Sequence, residues 1–168
     1  MSEIDDRMQV LGWYPVREST RRNPSNIDLE TLETAVGGRL PEDYRRFVAR
    51  YGQGALRHGS WFGISEPCPW GQSAMVDEFF GFSSEPGAGL GAFPSSFGNS
   101  VPEGMVPVAT DPMGNLVLLS IDAARRPGIW FWDHEGRARL LPSPRAERDQ
   151  TYLVADSFST FVRHLGPR

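Results

Sequence analysis

The order of helical and β-rich segments predicts an α+β fold: one domain with a mostly antiparallel sheet, packed with N-terminal helices and a C-terminal helix. Three observations carry this. Tyr44, Phe47, Val48 and Tyr51 recur at the helical period. Leu116–Ile121 and Gly128–Trp132 are apolar runs of strand length, the second rich in aromatics. Phe158, Phe161, Val162 and Leu165 repeat the helical period near the end of the chain.

Taken in order, Met8, Val10, Leu11, Trp13 and Tyr14 predict a strand or short helix laid on the core, and Arg17 to Pro24 a polar connection. Ser25 or Asp28 is a good cap for a helix carrying Leu29, Leu32 and Val36, which Gly37-Gly38 ends. In the next helix Pro41 suits the first position, Glu42 and Asp43 the positive end of the dipole, and Arg45, Arg46 and Arg50 the negative end. Gly52 stops it. Trp61–Ile64 and Met75–Phe82 each predict a short element. The stretch 65–104 reads as an irregular, loop-rich insert, broken by Pro67, Pro69 and Gly71 and rich in Gly, Pro and Ser from 83 to 100.

Met105–Ala109 predicts an edge strand, because Pro107 has no N–H for a ladder. Asp111-Pro112-Met113-Gly114-Asn115 is a turn. Leu116–Ile121 is an apolar run of strand length, as a central strand covered on both faces would be. Asp122 to Pro127 is a loop, and Gly128–Asp133 is the antiparallel partner of the strand before it. Glu135-Gly136 turns the chain toward Arg137–Leu141. Asp156 and Ser157 cap the last helix, and Gly166-Pro167 closes it.

Composition narrows the function. Hydrophobic residues at 39% and charged residues at 23% suit a soluble globular protein. No apolar run approaches the ~20 residues that span a bilayer, and Met1–Asp6 lacks the order of a signal peptide. One cysteine, Cys68, excludes an internal disulfide and a multi-cysteine metal site. The expectation is a cytoplasmic protein without membrane contact. All 17 basic residues are arginine, which points to a GC-rich genome. Residues 58–124 hold neither Arg nor Lys, but they hold Glu66, Asp77, Glu78, Glu85, Glu103, Asp111 and Asp122. One sign of charge over that length argues against direct nucleic-acid binding and favours a basic partner.

Several sharper readings yield to plainer ones. Asp133-His134-Glu135 offers three ligand types, but neighbouring strand residues point to opposite faces, so a satisfied turn is expected rather than a metal site. His58 and His164 have no companion at ligand spacing. Cys68 lies between two prolines with no Cys-His signature around it. Gly87–Ala92 resembles a phosphate loop, but it lacks the flanking strand and helix. Trp130 and Trp132 share a face, which suits core packing for at least one of them, or a protein-binding patch.

Four blocks in sequence resemble the SMI1/KNR4 family of the SUKH superfamily. They are Glu33 with Val36-Gly37, Leu40-Pro41, Tyr44, Phe47 and Tyr51; Val106–Ala109 with Asp111 and Gly114; Ile129–Glu135; and Ala155–Phe158 with Phe161. The chain departs from the family at Gly52-Gln53-Gly54, where an Asn-Gly-Gly turn is usual. The resemblance implies a non-enzymatic domain, without cofactor, that binds another protein. Bacterial members are similar to immunity proteins that neutralise toxins, many of them nucleases. A basic nuclease cleft would be met by acids, which makes Glu66, Asp77, Glu78, Glu85 and Glu103 the candidate protein-binding residues. The same fold would also suit a general adaptor module. An enzyme has little support in the sequence.

Overall fold

The computed structural model describes residues 3–16, 23–83, 89–92, 100–135 and 150–167. Helices α1 (Glu3–Leu11), α2 (Asn26–Val36) and α3 (Glu42–Tyr51) precede most of the sheet, and α4 (Phe158–His164) follows it. The strands are β1 (Trp13–Pro15), β2 (Gly54–Gly63), β3 (Ser73–Phe79), β4 (Met105–Thr110), β5 (Leu116–Ser120), β6 (Ile129–Trp132) and β7 (Thr151–Ala155). They form one seven-stranded antiparallel sheet in chain order, so the α+β expectation holds.

Local chemistry explains the helices. The cluster at 8–14 splits into helix and strand: Met8 and Leu11 lie buried on α1, and Gly12, with φ +68, turns the chain into β1. Ser25 and Asp28 form a reciprocal capping box on α2, and Gly37 closes that helix in the left-handed region, φ +81. Pro41 sits one position earlier than expected. Its ψ of 143° is extended, and it serves as the cap whose carbonyl accepts from Arg45 N–H. Tyr44, Phe47 and Val48 are fully buried, with Tyr51 at the margin.

Helix α4 sits at the centre of the packing. Phe158 lies 4.9 Å from Phe47 and 4.8 Å from Tyr44, ring centre to ring centre, and Phe161 lies 5.3 Å from Phe62. Its ends are held by other helices. Asp43 on α3 accepts from Ser159 N–H (2.8 Å) and Oγ (3.0 Å) near the N-terminus, beside the Ser157 cap. Arg7 on α1 donates to the Leu165 carbonyl at the C-terminus. An anion at one end and a cation at the other both suit the helix dipole.

The sheet has two buried faces. Val117, Leu119, Ile129, Phe131 and Tyr152 join the core that contains the helices. Leu116, Leu118, Trp130, Trp132 and Leu153 form a second cluster with Val101 and Met105. β5 is thus covered on both sides, and it pairs with β6 through Leu118↔Trp130 and Val117↔Phe131. At 8% exposure each, Trp130 and Trp132 belong to this cluster and present no surface.

β4 corrects the edge-strand expectation, because it is the fourth strand of seven. β3 pairs only with its end, through Phe79↔Ala109 and Glu78↔Thr110. The Gly104 carbonyl accepts from Ile121 N–H, so alternation puts Val106 rather than Pro107 in bonding register with β5. Pro107 therefore faces the side where β3 has already ended, and the missing N–H removes no ladder bond. Two strands exceed the sequence reading. β2 runs from Gly54, well before Trp61, and β7 was not anticipated as a strand. The stretch 65–104 also contributes β3 and a buried 3-10 turn, Leu90–Ala92. Arg137–Leu141 lies outside the described residues.

Phe158→Ala should destabilise the protein by about 3–5 kcal/mol, the range for emptying a buried aromatic site. Urea denaturation checks this, and a loss below about 1 kcal/mol would contradict α4 as the packing centre.

Candidate protein-binding surface

The four described candidate acids occupy three places. Glu66 is half-buried beside β7, where its Oε2 accepts from Leu153 N–H at 3.1 Å. Next to it, Ser65 N–H donates to the Leu153 carbonyl at 2.9 Å. The segment after β2 thus satisfies the outer edge of β7, and the sheet curls until its second strand meets its seventh. Glu66 closes a sheet edge that would otherwise be open to foreign strands.

Asp77 and Glu78 are neighbours on β3. Glu78 is half-buried, bonded to Gln53 Nε2 in the Gly52-Gln53-Gly54 turn. That turn needs its glycines: a Cβ on Gly54 would fall 2.5 Å from the Trp13 ring, and Gly52 adopts φ +67. Asp77 is exposed where residues 56–59 of β2 bulge opposite it. Glu103 is exposed at the other end of the sheet, before β4, next to the loop that holds Asp122. Glu85 lies outside the described residues.

The turn between β4 and β5 was read only as a turn. Its side chains carry more. Asp111 Oδ1 accepts from the N–H groups of Met113 (2.9 Å) and Asn115 (2.8 Å), and Oδ2 accepts from Asn115 Nδ2 (2.9 Å). With its amide nitrogen committed, Asn115 offers Oδ1 to His134 Nδ1 at 2.9 Å. Asp111 and Asn115 are buried, whereas His134 is exposed and Met113 is 63% exposed. The signal was present in Asp111 and Asn115 around a glycine, but its reach to His134 depends on the pairing of β5 with β6.

Asp133 is fully buried and its Oδ1 accepts from Glu135 N–H at 3.1 Å, as a turn would have it. Among the described residues, no three of His, Cys, Asp and Glu are grouped to hold a metal. Burial pushes the half-buried Cys68 thiol up to about 11. Burial, with Cys68, Asp133 and Glu66 nearby, also raises the Tyr152 phenol. A cleft of about 310 Å³ between α1, α3 and α4 has Phe47 and Tyr51 on its apolar side. Its rim is occupied by the Asp5–Arg50 ion pair at 2.7 Å, and Asp5 also accepts from Tyr51. Burial, then that hydrogen bond, pushes Tyr51 up to about 12. Only the first few residues of Gly87–Ala92 fall outside the described chain; Leu90 is fully buried, unlike an open phosphate cradle.

This geometry defines a single-sheet α+β domain whose accessible chemistry lies in strand-end turns and scattered carboxylates. Residues 23–164 match the SMI1 / KNR4 family (SUKH-1), and the chain belongs to that family. It is also similar to the SPbeta prophage-derived uncharacterized protein YokK of Bacillus subtilis (strain 168), 27% identical over 154 residues that cover 84% of this chain and 74% of that protein. No helix among the described residues is long and apolar enough to cross a membrane.

Two outcomes check these assignments. Glu66→Ala should destabilise the fold by about 1–3 kcal/mol by leaving Leu153 N–H unsatisfied, with Glu66→Gln much milder because it keeps an acceptor; urea denaturation compares them. Cys68 should alkylate with iodoacetamide far more slowly at pH 8 than an exposed thiol, and its rate should climb until pH reaches about 11, because the thiolate is the nucleophile. A plateau near pH 8.5 would contradict its burial.

Proposed function

We propose that this chain is an immunity-type protein that neutralises a protein toxin, a nuclease with a basic cleft being the favoured target, by binding it directly and without catalysis. One observation carries the electrostatic part: residues 58–124 contribute β3, β4, β5 and most of the loops between them, with seven acids and neither Arg nor Lys. Asp77, Glu103 and Asp122 are exposed within it. A field of one sign speeds encounter with an oppositely charged cleft and excludes wrong partners. Family membership supports protein binding as the activity. In this reading Asp77 and Glu103 contribute charge at the surface, Glu78 lies beside Asp77, Glu85 is a further candidate, and Glu66 acts mainly through the sheet edge.

The test is co-expression with the toxin domain encoded beside the gene for this chain. The chain should restore growth, and the purified pair should form a complex. Charge reversal at Asp77 and Glu103 together should weaken binding about tenfold at low salt and flatten its salt dependence. Unchanged affinity removes the electrostatic part; failure to restore growth or to bind removes the toxin reading and leaves the adaptor function.

A further inference from the structure

The β4–β5 turn has neighbours on both sides. Glu78 pairs with Thr110, and β3 continues back toward Ser73 past the end of β4, so exposed Asp77 flanks the turn. Leu116 pairs with Trp132, so His134 flanks it on the β6 side. The imidazole lies against the turn: a Cβ on Gly114, φ +87, would stand 3.6 Å from His134 Cε1, an ordinary contact distance. Three side chains from separate segments therefore surround one turn: an acid, a methionine and an imidazole.

Among the described residues, the large exposed apolar side chains sit at the N-terminal end, at Val10, Tyr14 and Val16, with Met113 as the exception. Its backbone is held by the Asp111 carboxylate, while its side chain is left in water. The buried network also sets the imidazole. Asn115 Oδ1 can only accept, so His134 Nδ1 carries the proton and neutral His134 presents the Nε2 lone pair outward. A turn could be stabilised by Asp111 alone; the bond to Asn115 additionally orders the exposed His134 ring. An exposed ring fixed before encounter loses little entropy on binding, which is the property of an interface anchor.

We propose that Asp77, Met113 and His134 form the anchor by which this chain holds its protein partner; the proposal rests on the toxin-binding reading above. The partner that fits has a basic surface with an apolar recess. Met113, flexible and polarizable, fills the recess. His134 Nε2 accepts from a donor at its rim, and Asp77 faces a cation. No Arg or Lys lies between 58 and 124, and Arg57, in the β2 bulge opposite Asp77, lies over the Tyr14 ring, 5.5 Å from its centre.

The test measures the Kd of the purified toxin domain for the unaltered chain and for Met113→Asp, His134→Ala and Val10→Asp at ~150 mM salt. Met113→Asp and His134→Ala should each weaken binding at least about tenfold, within the range of interface hot spots. Val10→Asp, at 66% exposure an equally accessible control, should stay within about twofold. Methyl NMR gives a readout without substitution: the Met113 signal should shift or broaden on complex formation while that of fully buried Met8 stays in place. Normal binding by both variants, or an unmoved Met113 methyl in a complex that forms, overturns the anchor and leaves the toxin reading standing. No binding by the unaltered chain overturns both.

Discussion

Helix α4 is the constraint on which the rest of the structure depends. It is only seven residues long, too short to be helical alone in water. Its stability comes from its surroundings. Phe158 and Phe161 fill the space between α3 and the sheet, and both ends are satisfied from outside, by Asp43 and by Arg7. Those two contacts tie α1, α3 and α4 into one clasp, so the chain termini and the middle helix share a single packing unit.

Sheet shape follows from that clasp. A sheet of seven twisted strands must curl to cover a short helix on one face. Here it curls until Ser65 and Glu66 reach the outer edge of β7. The edge is closed by backbone and carboxylate bonds rather than by an eighth strand. A carboxylate that composition alone would assign to the surface field is consequently bound into the fold. Charge density in a sequence segment and charge available to a partner are different quantities, and Glu66 is the residue where they separate.

The same architecture explains why the turns at strand ends hold the exposed chemistry. From β4 to β7 the strand side chains are largely committed on both faces, to the helical core or to the tryptophan cluster. What remains accessible there is carried by turns, and the β4–β5 turn is held by the side chains of Asp111 and Asn115. Its rigidity comes from two fully or nearly buried polar residues, Asp111 and Asn115, whose hydrogen bonds are satisfied locally and across to β6.

The sequence by itself determined the α+β class, helices α2, α3 and α4, and the antiparallel β5–β6 pair. Each rests on a local signal: a cap, a 3.6-residue stripe, or an apolar run of strand length. Only the tertiary structure decided the rest. Pro107 predicted an edge because strand register is a pairing between distant segments, invisible to a rule about one residue. Thr151–Ala155 carries no turn or stripe that sets its place, and it becomes β7 through its pairing with β6. Cys68 carries no signal of how deeply it is buried, and Asp77 carries none of its place beside the β4–β5 turn, since those positions are set by which strands lie side by side. Local chemistry names the elements; long-range packing places their side chains, and placement is what makes a surface.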